Sequence, residues 1–452
     1  MGRRLVYHRI GIVSTKNQFS CTPPEDASLD SGHNSGCIID SRILECVGRS
    51  EVSQALGASD PRPLETRVAA VFLDRDGTIN VDVHRLASAD QLELLPGAGA
   101  AIHRLNSAGL LSVVVTNQSV VARGEVCEAE LEQIHRRLKF LLREQGAHLT
   151  AIYHCPHHPD HGIPGERANV EIGCDCRKPA TGMIERAVAD LSIDLPNSWM
   201  IGDTTTDLQT AQNAGIRSVL VRTGYGGRDG RWRIRPDYEF FDLAEAAKFI
   251  VDQHGPLLDQ ARTSLPACDP GSLVAIGGLA RSGKSTWASI CSEVLAKRGQ
   301  RAVILPLDAW HLSAEDRPPD DVMGRYDVVG ITALVEHLSG RAERVEVQLG
   351  YYDRFARERS ADGYSVEIEP DDIVLLEGVP ALAIPALVSA SSSSFHVECP
   401  ESIRRERFSR EHGLCGLSDS EIELLYRERE AGEHSIVREF GAEADFRIDL
   451  GS

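Results

Sequence analysis

The chain has 452 residues, more than one hydrophobic core usually organises, so two or three domains are expected. Its formal net charge of −19 would repel a polyanion, and no lysine or arginine block stands out to override it, which argues against nucleic acid as a partner. The longest apolar runs are strand-length, short of the roughly 20 residues a membrane span needs, so no membrane segment is expected. Eleven cysteines without framework spacing, and no signal-peptide core before them, point to thiols and a metal in a reducing cytoplasm.

Residues 1–66 lack periodicity and are rich in Ser, Asp, Gly and Pro, the texture of loop or disorder, and carry no functional signal. From Val68 onward, apolar strand-length runs (Ala69 to Leu73, Leu110 to Val115, Trp199 to Ile201, Ser218 to Val221) alternate with helical patterns. Such alternation predicts βαβ units and a parallel sheet over residues 67–254. Residues 255–271, with Pro256, Pro266 and Pro270, read as the linker. A second α/β alternation, residues 272–452, begins at Leu273 to Ile276 and ends at Phe446 to Ile448.

Asp74 and Asp76 follow the first strand, with Gly77 releasing the chain into a turn, at the sheet edge where ligands of α/β proteins sit. Paired carboxylates there suit phosphoryl transfer: Asp74 attacks phosphorus, and Asp76 protonates the leaving oxygen and later deprotonates water. Further elements follow in order at strand ends. Thr116, Asn117 and Gln118 offer a hydroxyl and backbone N–H groups to phosphoryl oxygens, and Lys178 offers a neutralising charge. Asp203 and Asp207 supply the remaining acids, and Mg²⁺ is expected on Asp74, Asp76 and Asp203. Cys155, His157, Cys174 and Cys176 have the composition of a closed, structural Zn²⁺ site that would fix the loop beside Lys178.

This ordered set resembles the haloacid dehalogenase superfamily over residues 68–252. Within it, Asn117 to Gly124, Cys155-Pro-His157 and Cys174-Asp-Cys176-Arg177-Lys178 look like the D-glycero-D-manno-heptose-1,7-bisphosphate 7-phosphatase branch; a histidinol-phosphatase branch shares the metal loop. The resemblance implies a Rossmann-like fold with little cap and a sugar-bisphosphate substrate whose distal groups Arg123 and Arg177 help grip.

In the second half, a strand leads into Gly277-Gly278-Leu-Ala-Arg281-Ser282-Gly283-Lys284-Ser285-Thr286, a complete phosphate-binding loop ahead of the helical run Trp287 to Lys297. Backbone N–H groups there would cradle ATP phosphates, Lys284 would reach the β and γ oxygens, and Ser285 would ligate Mg²⁺. Asp308 is placed to take a proton from an acceptor hydroxyl, and Glu377 ends a strand where a Mg²⁺ site is expected. Arg404, Arg405, Arg407 and Arg410 form a basic cluster that could close over the phosphate or simply face solvent. With Tyr352 to Arg357 and Glu433 to Asp445, these features resemble the uridine kinase and phosphoribulokinase group, and imply a P-loop NTPase fold using MgATP. The expectation is therefore a two-enzyme chain acting on small phosphorylated sugars. Two alternatives stay open: a polynucleotide kinase-phosphatase, and a phosphatase regulated by a nucleotide-binding module.

Overall fold

The computed structural model describes residues 67–158, 174–317, 322–353, 358–414 and 416–451. The N-terminal stretch 1–66, most of the loop between His157 and Cys174, and residues 354–357 of the Tyr352 to Arg357 run lie outside the described residues.

The first sheet is six-stranded and parallel. Along the chain it is built from β1 (Ala70–Leu73), α1 (Ala98–Ser107), β2 (Leu111–Asn117), α2 (Glu128–Glu144), β3 (Ala151–Cys155), α3 (Gly182–Leu191), β4 (Trp199–Gly202), α4 (Thr205–Ala214), β5 (Arg217–Val221) and β6 (Tyr238–Phe240). Strand order β3-β2-β1-β4-β5-β6 reverses between β1 and β4, so the loops after these two strands open a crevice at one edge. Asp74 follows β1 and Asp203 follows β4. Every residue of β1 and β4 is buried, as expected of strands covered on both faces. Helix α4 starts where it does because Thr204 caps Asp207 reciprocally, and it stops at Gly215 in the left-handed region.

The expected linker is corrected in part. After α5 (Leu243–Lys248) the helix passes through a π-turn (Phe249–Gln253) into α6 (His254–Ser264), so residues 255–264 are helix. Pro256 lies just past the π-turn, where the regular i→i−4 ladder is already interrupted. The connection without regular structure is only Leu265 to Ser272.

The second sheet is five-stranded and parallel, in order β13-β12-β7-β11-β8. Its elements are β7 (Leu273–Gly277), α7 (Lys284–Lys297), β8 (Ala302–Pro306), α8 (Val328–Leu338), the antiparallel hairpin β9 (Val345–Asp353) and β10 (Glu358–Ile368), β11 (Ile373–Glu377), α9 (Pro385–Ala390), β12 (Ser391–Glu398), α10 (Glu401–Leu414), α11 (Asp419–Gly441) and β13 (Phe446–Asp449). The hairpin stands apart from the parallel pattern expected from the alternation of runs. Both halves are thus α/β domains built on a parallel sheet, the first Rossmann-like.

One continuous apolar cluster joins the domains: Trp199, Tyr238, Phe249, Leu258 and Ala261 pack with Trp287, Ile290, Val294 and Leu295 of α7. Among the described residues no helix is long and apolar enough to cross a membrane.

Candidate active sites

At the crevice of the first domain, Lys178 Nζ lies 2.8 Å from Asp74 Oδ1 and 2.6 Å from Asp207 Oδ1. Asp203 completes the group: one carboxylate oxygen each from Asp74, Asp203 and Asp207 lies within 4.8 Å of the others. All four side chains are buried or nearly so. Burial pushes the Asp74 carboxyl up to about 6 against the opposing pull of Lys178. It pushes Asp203 up to about 8, with Asp74 and Asp207 adding to the rise. Three carboxylates sharing one cation are under-neutralised, and Asp74 with Asp203 fits Mg²⁺, a hard cation that prefers carboxylate oxygen. Asp207 is otherwise engaged, with its second oxygen accepting from Thr204 N at 3.1 Å and Thr204 Oγ at 2.6 Å. Gly77 is required here: its φ is +77°, and a Cβ would sit 2.4 Å from Asp203 Oδ2.

Asp76, also expected as a Mg²⁺ ligand, has its carboxylate engaged elsewhere. Its carboxylate accepts from Arg75 (2.7 Å), Asn80 (2.9 Å) and Gln118 (2.9 Å), and it stands outside the acidic group. Burial raises its pKa, but Arg75 and the two amides outweigh this and hold it below the usual carboxylate range. Arg75, itself fully buried, was passed over in the sequence as a link between the two aspartates; its guanidinium pairs with the neighbouring Asp76 and also donates to Gln118 Oε1 at 2.9 Å.

Of the β2 edge residues, Thr116 keeps its hydroxyl at the site, where it accepts from Gln118 Nε2 at 2.8 Å. The Asn117 side chain braces Lys178: its amide donates to Lys178 O at 3.2 Å and accepts from Lys178 N at 3.0 Å. The Gln118 backbone N–H is committed to Cys155 O at 2.7 Å, so the phosphate contact expected of it is not available.

Cys155, His157, Cys174 and Cys176 converge as expected, all ligand atoms lying within 4.8 Å of one another. Cys155 Sγ is 3.6 Å from Cys174 Sγ and 3.6 Å from His157 Nδ1, and Cys176 Sγ is 3.3 Å from His157 Nδ1. Tetrahedral zinc with ordinary bond lengths would set such edges at about 3.6 to 3.8 Å. The donor set fits zinc, which would close the loop beside Lys178. Arg177 donates to His157 O at 2.8 Å, and Arg123 Nη2 lies 2.5 Å from His158 Nε2, so both arginines flank this loop. Metal analysis of the purified chain should find about one zinc, and Cys174→Ser should expose the 155–176 segment to protease before the domain melts. Active, zinc-free protein would count against this site.

In the second domain, the loop between β7 and α7 places its glycines as a phosphate cradle requires. Gly278 has φ +148°, and a Cβ there would meet Val397 O at 2.2 Å. Arg281 and Gly283 also have positive φ, at 65° and 99°. Lys284 is buried and donates to Leu279 O at 2.9 Å, while Ser285 Oγ donates to Glu377 Oε1 at 2.8 Å. The hydroxyl and carboxylate expected to hold Mg²⁺ are therefore adjacent, because β7 and β11 are neighbouring strands. Asp308 lines the same cleft, 3.6 Å from His311 Nε2. The basic cluster on α10 divides. Arg404 and Arg405 pair with Glu430 and Glu423 of α11, Arg410 pairs with Asp242 and Glu245 of the first domain, and Arg407 alone of the four turns to the loop, donating to Arg281 O at 3.1 Å. Glu433, named only as the start of a run, accepts from Ala280 N at 3.3 Å and so supports the loop from α11.

The family profile described as HAD-hydrolase-like matches residues 175–246. The D-glycero-beta-D-manno-heptose-1,7-bisphosphate 7-phosphatase of Haemophilus ducreyi is 43% identical over 157 residues, 34% of this chain and 84% of that protein. The chain belongs to the heptose-bisphosphate phosphatase family. It does so through its first domain, which is a phosphatase domain of the HAD class. A structure of D,D-heptose 1,7-bisphosphate phosphatase from B. bronchiseptica, complexed with magnesium and phosphate, is 35% identical and covers 41% of this chain and 99% of its own, with a TM-score of 0.37. A structure described as a "Possible Uridine Kinase" from Bacillus stearothermophilus covers 43% of this chain and 98% of its own at 19% identity and a TM-score of 0.29.

Proposed function

We propose that the first domain removes a phosphomonoester from a sugar bisphosphate, D-glycero-D-manno-heptose 1,7-bisphosphate losing its 7-phosphate, and that the second transfers phosphate from ATP to a small hydroxyl acceptor. The observation that carries the first reading is Lys178 held between Asp74 and Asp207 with Asp203 beside them, in a chain 43% identical to a heptose-bisphosphate phosphatase over that region.

Asp74 attacks phosphorus, and Lys178 offsets the charge that builds on the equatorial oxygens, joined by the Thr116 hydroxyl and the Asn117 backbone N–H. Mg²⁺, on Asp74 and Asp203, would supply further neutralisation and align the phosphoryl group. Asp76 gives a proton to the departing sugar oxygen and later takes one from the water that cleaves the aspartyl phosphate. Its pairing with Arg75 favours the base half of this role and opposes the acid half. Asp76→Asn should accordingly lose much more rate on sugar phosphates than on aryl phosphates, whose leaving groups need no proton; equal losses would remove Asp76 from the acid role. Arg123 and Arg177 at the zinc loop are the proposed grips for the distal part of the sugar.

In the second domain Lys284 and the glycine loop would hold ATP, Ser285 and Glu377 the Mg²⁺, and Asp308 the proton of the acceptor hydroxyl. Mg²⁺-dependent phosphate release from heptose 1,7-bisphosphate, set against histidinol phosphate, tests the first activity. ATP consumption across pentose, hexose, heptose and nucleoside acceptors tests the second. A preference for histidinol phosphate would overturn the sugar assignment. ATP that changes the phosphatase rate while no acceptor is phosphorylated would make the second domain a regulatory module.

A further inference from the structure

The loop between β5 and β6, residues 222–237, belongs to the phosphatase domain, yet its two ends reach different active sites. Tyr225 N and Gly227 N donate to Asp203, at 2.8 Å to its carboxylate and 2.8 Å to its carbonyl. Ten residues after Tyr225, Arg235 Nη2 donates at 3.1 Å to Glu377 Oε1, the same oxygen that accepts from Ser285 Oγ. The second arm of the fork, Arg235 Nη1, is buried with no hydrogen-bond partner among the described residues. Arg235 lines one cleft with Lys284, Ser285, Asp308 and Arg407.

We propose that Arg235, supplied by the phosphatase domain, is a nucleotide-contacting residue of the kinase-like domain and binds the terminal phosphate of a bound nucleoside triphosphate. The inference rests on the reading that this loop binds MgATP. Ser285 and Glu377 are the pair that would hold the divalent cation, so nucleotide binding sets a second positive charge beside the guanidinium. Two cations on one carboxylate oxygen repel, and the phosphate oxygens that arrive with the metal are the anions that relieve this. A guanidinium is matched to that task, since its planar fork pairs two N–H groups with phosphate oxygens. An unpartnered buried Nη1 is costly as it stands and is satisfied in that arrangement. The placement is fixed from both sides: Ser289 Oγ of α7 donates to Asp237 O at 2.5 Å, and Arg222 donates to Glu411 at 3.1 Å, a carboxylate that also pairs with Arg281 of the phosphate loop. The first domain is thereby docked against the nucleotide site.

The test is calorimetric titration of the full chain with MgATP and with MgADP, comparing wild type, Arg235→Ala, Arg235→Lys and Lys284→Ala. Arg235→Ala should weaken MgATP about ten- to hundredfold, the range of a hydrogen bond to a charged group, and change MgADP less than threefold. Arg235→Lys should recover part of the loss, keeping charge without the fork. Phosphate release by the first domain should be unchanged, because the Tyr225 end of the loop is anchored separately. Equal losses for ATP and ADP would make Arg235 a docking residue only. Unchanged or tighter ATP binding would make it a plain ion pair on Glu377; either result overturns the proposal. A wild-type chain that binds no nucleotide, with Lys284→Ala indistinguishable from it, would instead remove the kinase reading and this inference with it.

Discussion

Asp74→Asn should abolish phosphate release, lowering kcat on the order of 10,000-fold or more, as loss of a covalent nucleophile does. The amide keeps the shape of the carboxyl but offers phosphorus no anionic oxygen. Among the described residues no other carboxylate of the site is free to replace it: Asp207 is held by Lys178 and Thr204, Asp76 by Arg75, Asn80 and Gln118, and Asp203 by the Tyr225 N–H. The fold should survive, because Lys178 retains Asp207 at 2.6 Å and no buried cation is stranded. Steady-state phosphate release together with thermal melting checks both halves. Activity within a hundredfold of wild type would mean that a different residue attacks.

The second large effect concerns how the domains hold together. Glu293, on α7 of the second domain, accepts from Arg217 at 2.8 Å, Tyr238 at 2.5 Å and His254 at 3.1 Å, all three from the first domain or the helix that follows it. Its side chain is 18% exposed. Burial raises its pKa, but His254, Arg217 and Tyr238 outweigh this and bring it to about 2, against 4.5 for the free group. A carboxyl whose pKa is depressed on folding contributes stability that is fully present above pH 4.5 and is lost as pH falls toward 2. That shift corresponds to about 3 kcal/mol. Glu293→Gln should therefore destabilise the chain by about 3 kcal/mol at neutral pH, and the gap from wild type should close below pH 4.5. Denaturant titrations at several pH values check this; a gap independent of pH would mean that Glu293 acts by packing alone.

The same interface bears on whether the second half can be cut out. Read from its motifs, a fragment beginning near residue 265 is self-sufficient. In the structure, that cut removes α6, exposing the face of α7 against which Leu258 and Ala261 pack, and strips Glu293 of all three partners. Such a fragment is expected to aggregate rather than to bind MgATP, which solubility and nucleotide titration of the fragment would show.

What the sequence by itself determined is local in origin. A strand, a glycine turn and a functional side chain within a few residues define Asp74, Asp203 and the Gly278 to Ser285 loop, because the backbone geometry those sites need is encoded beside them. The cores of β1, β2, β4, β5, β7 and β13 were legible for the same reason, as apolar runs between turns, whereas β3, β6 and the β9–β10 hairpin were not. The four zinc-type ligands were legible by composition, although two of them lie 19 residues from the other two in chain order and meet only in three dimensions. The tertiary structure alone decided which partner each charge takes. Gln118 was brought onto the Asp76 carboxylate, the Asn117 side chain was set to brace Lys178, and the four arginines of α10 were split among α11, the first domain and the phosphate loop. Arg235 and Glu293 carried no signal in any motif, since their partners lie 142 residues on and up to 76 residues back. Pairings at that separation depend on how two sheets dock, and docking is set by the shape and burial of whole faces, which residue spacing does not record.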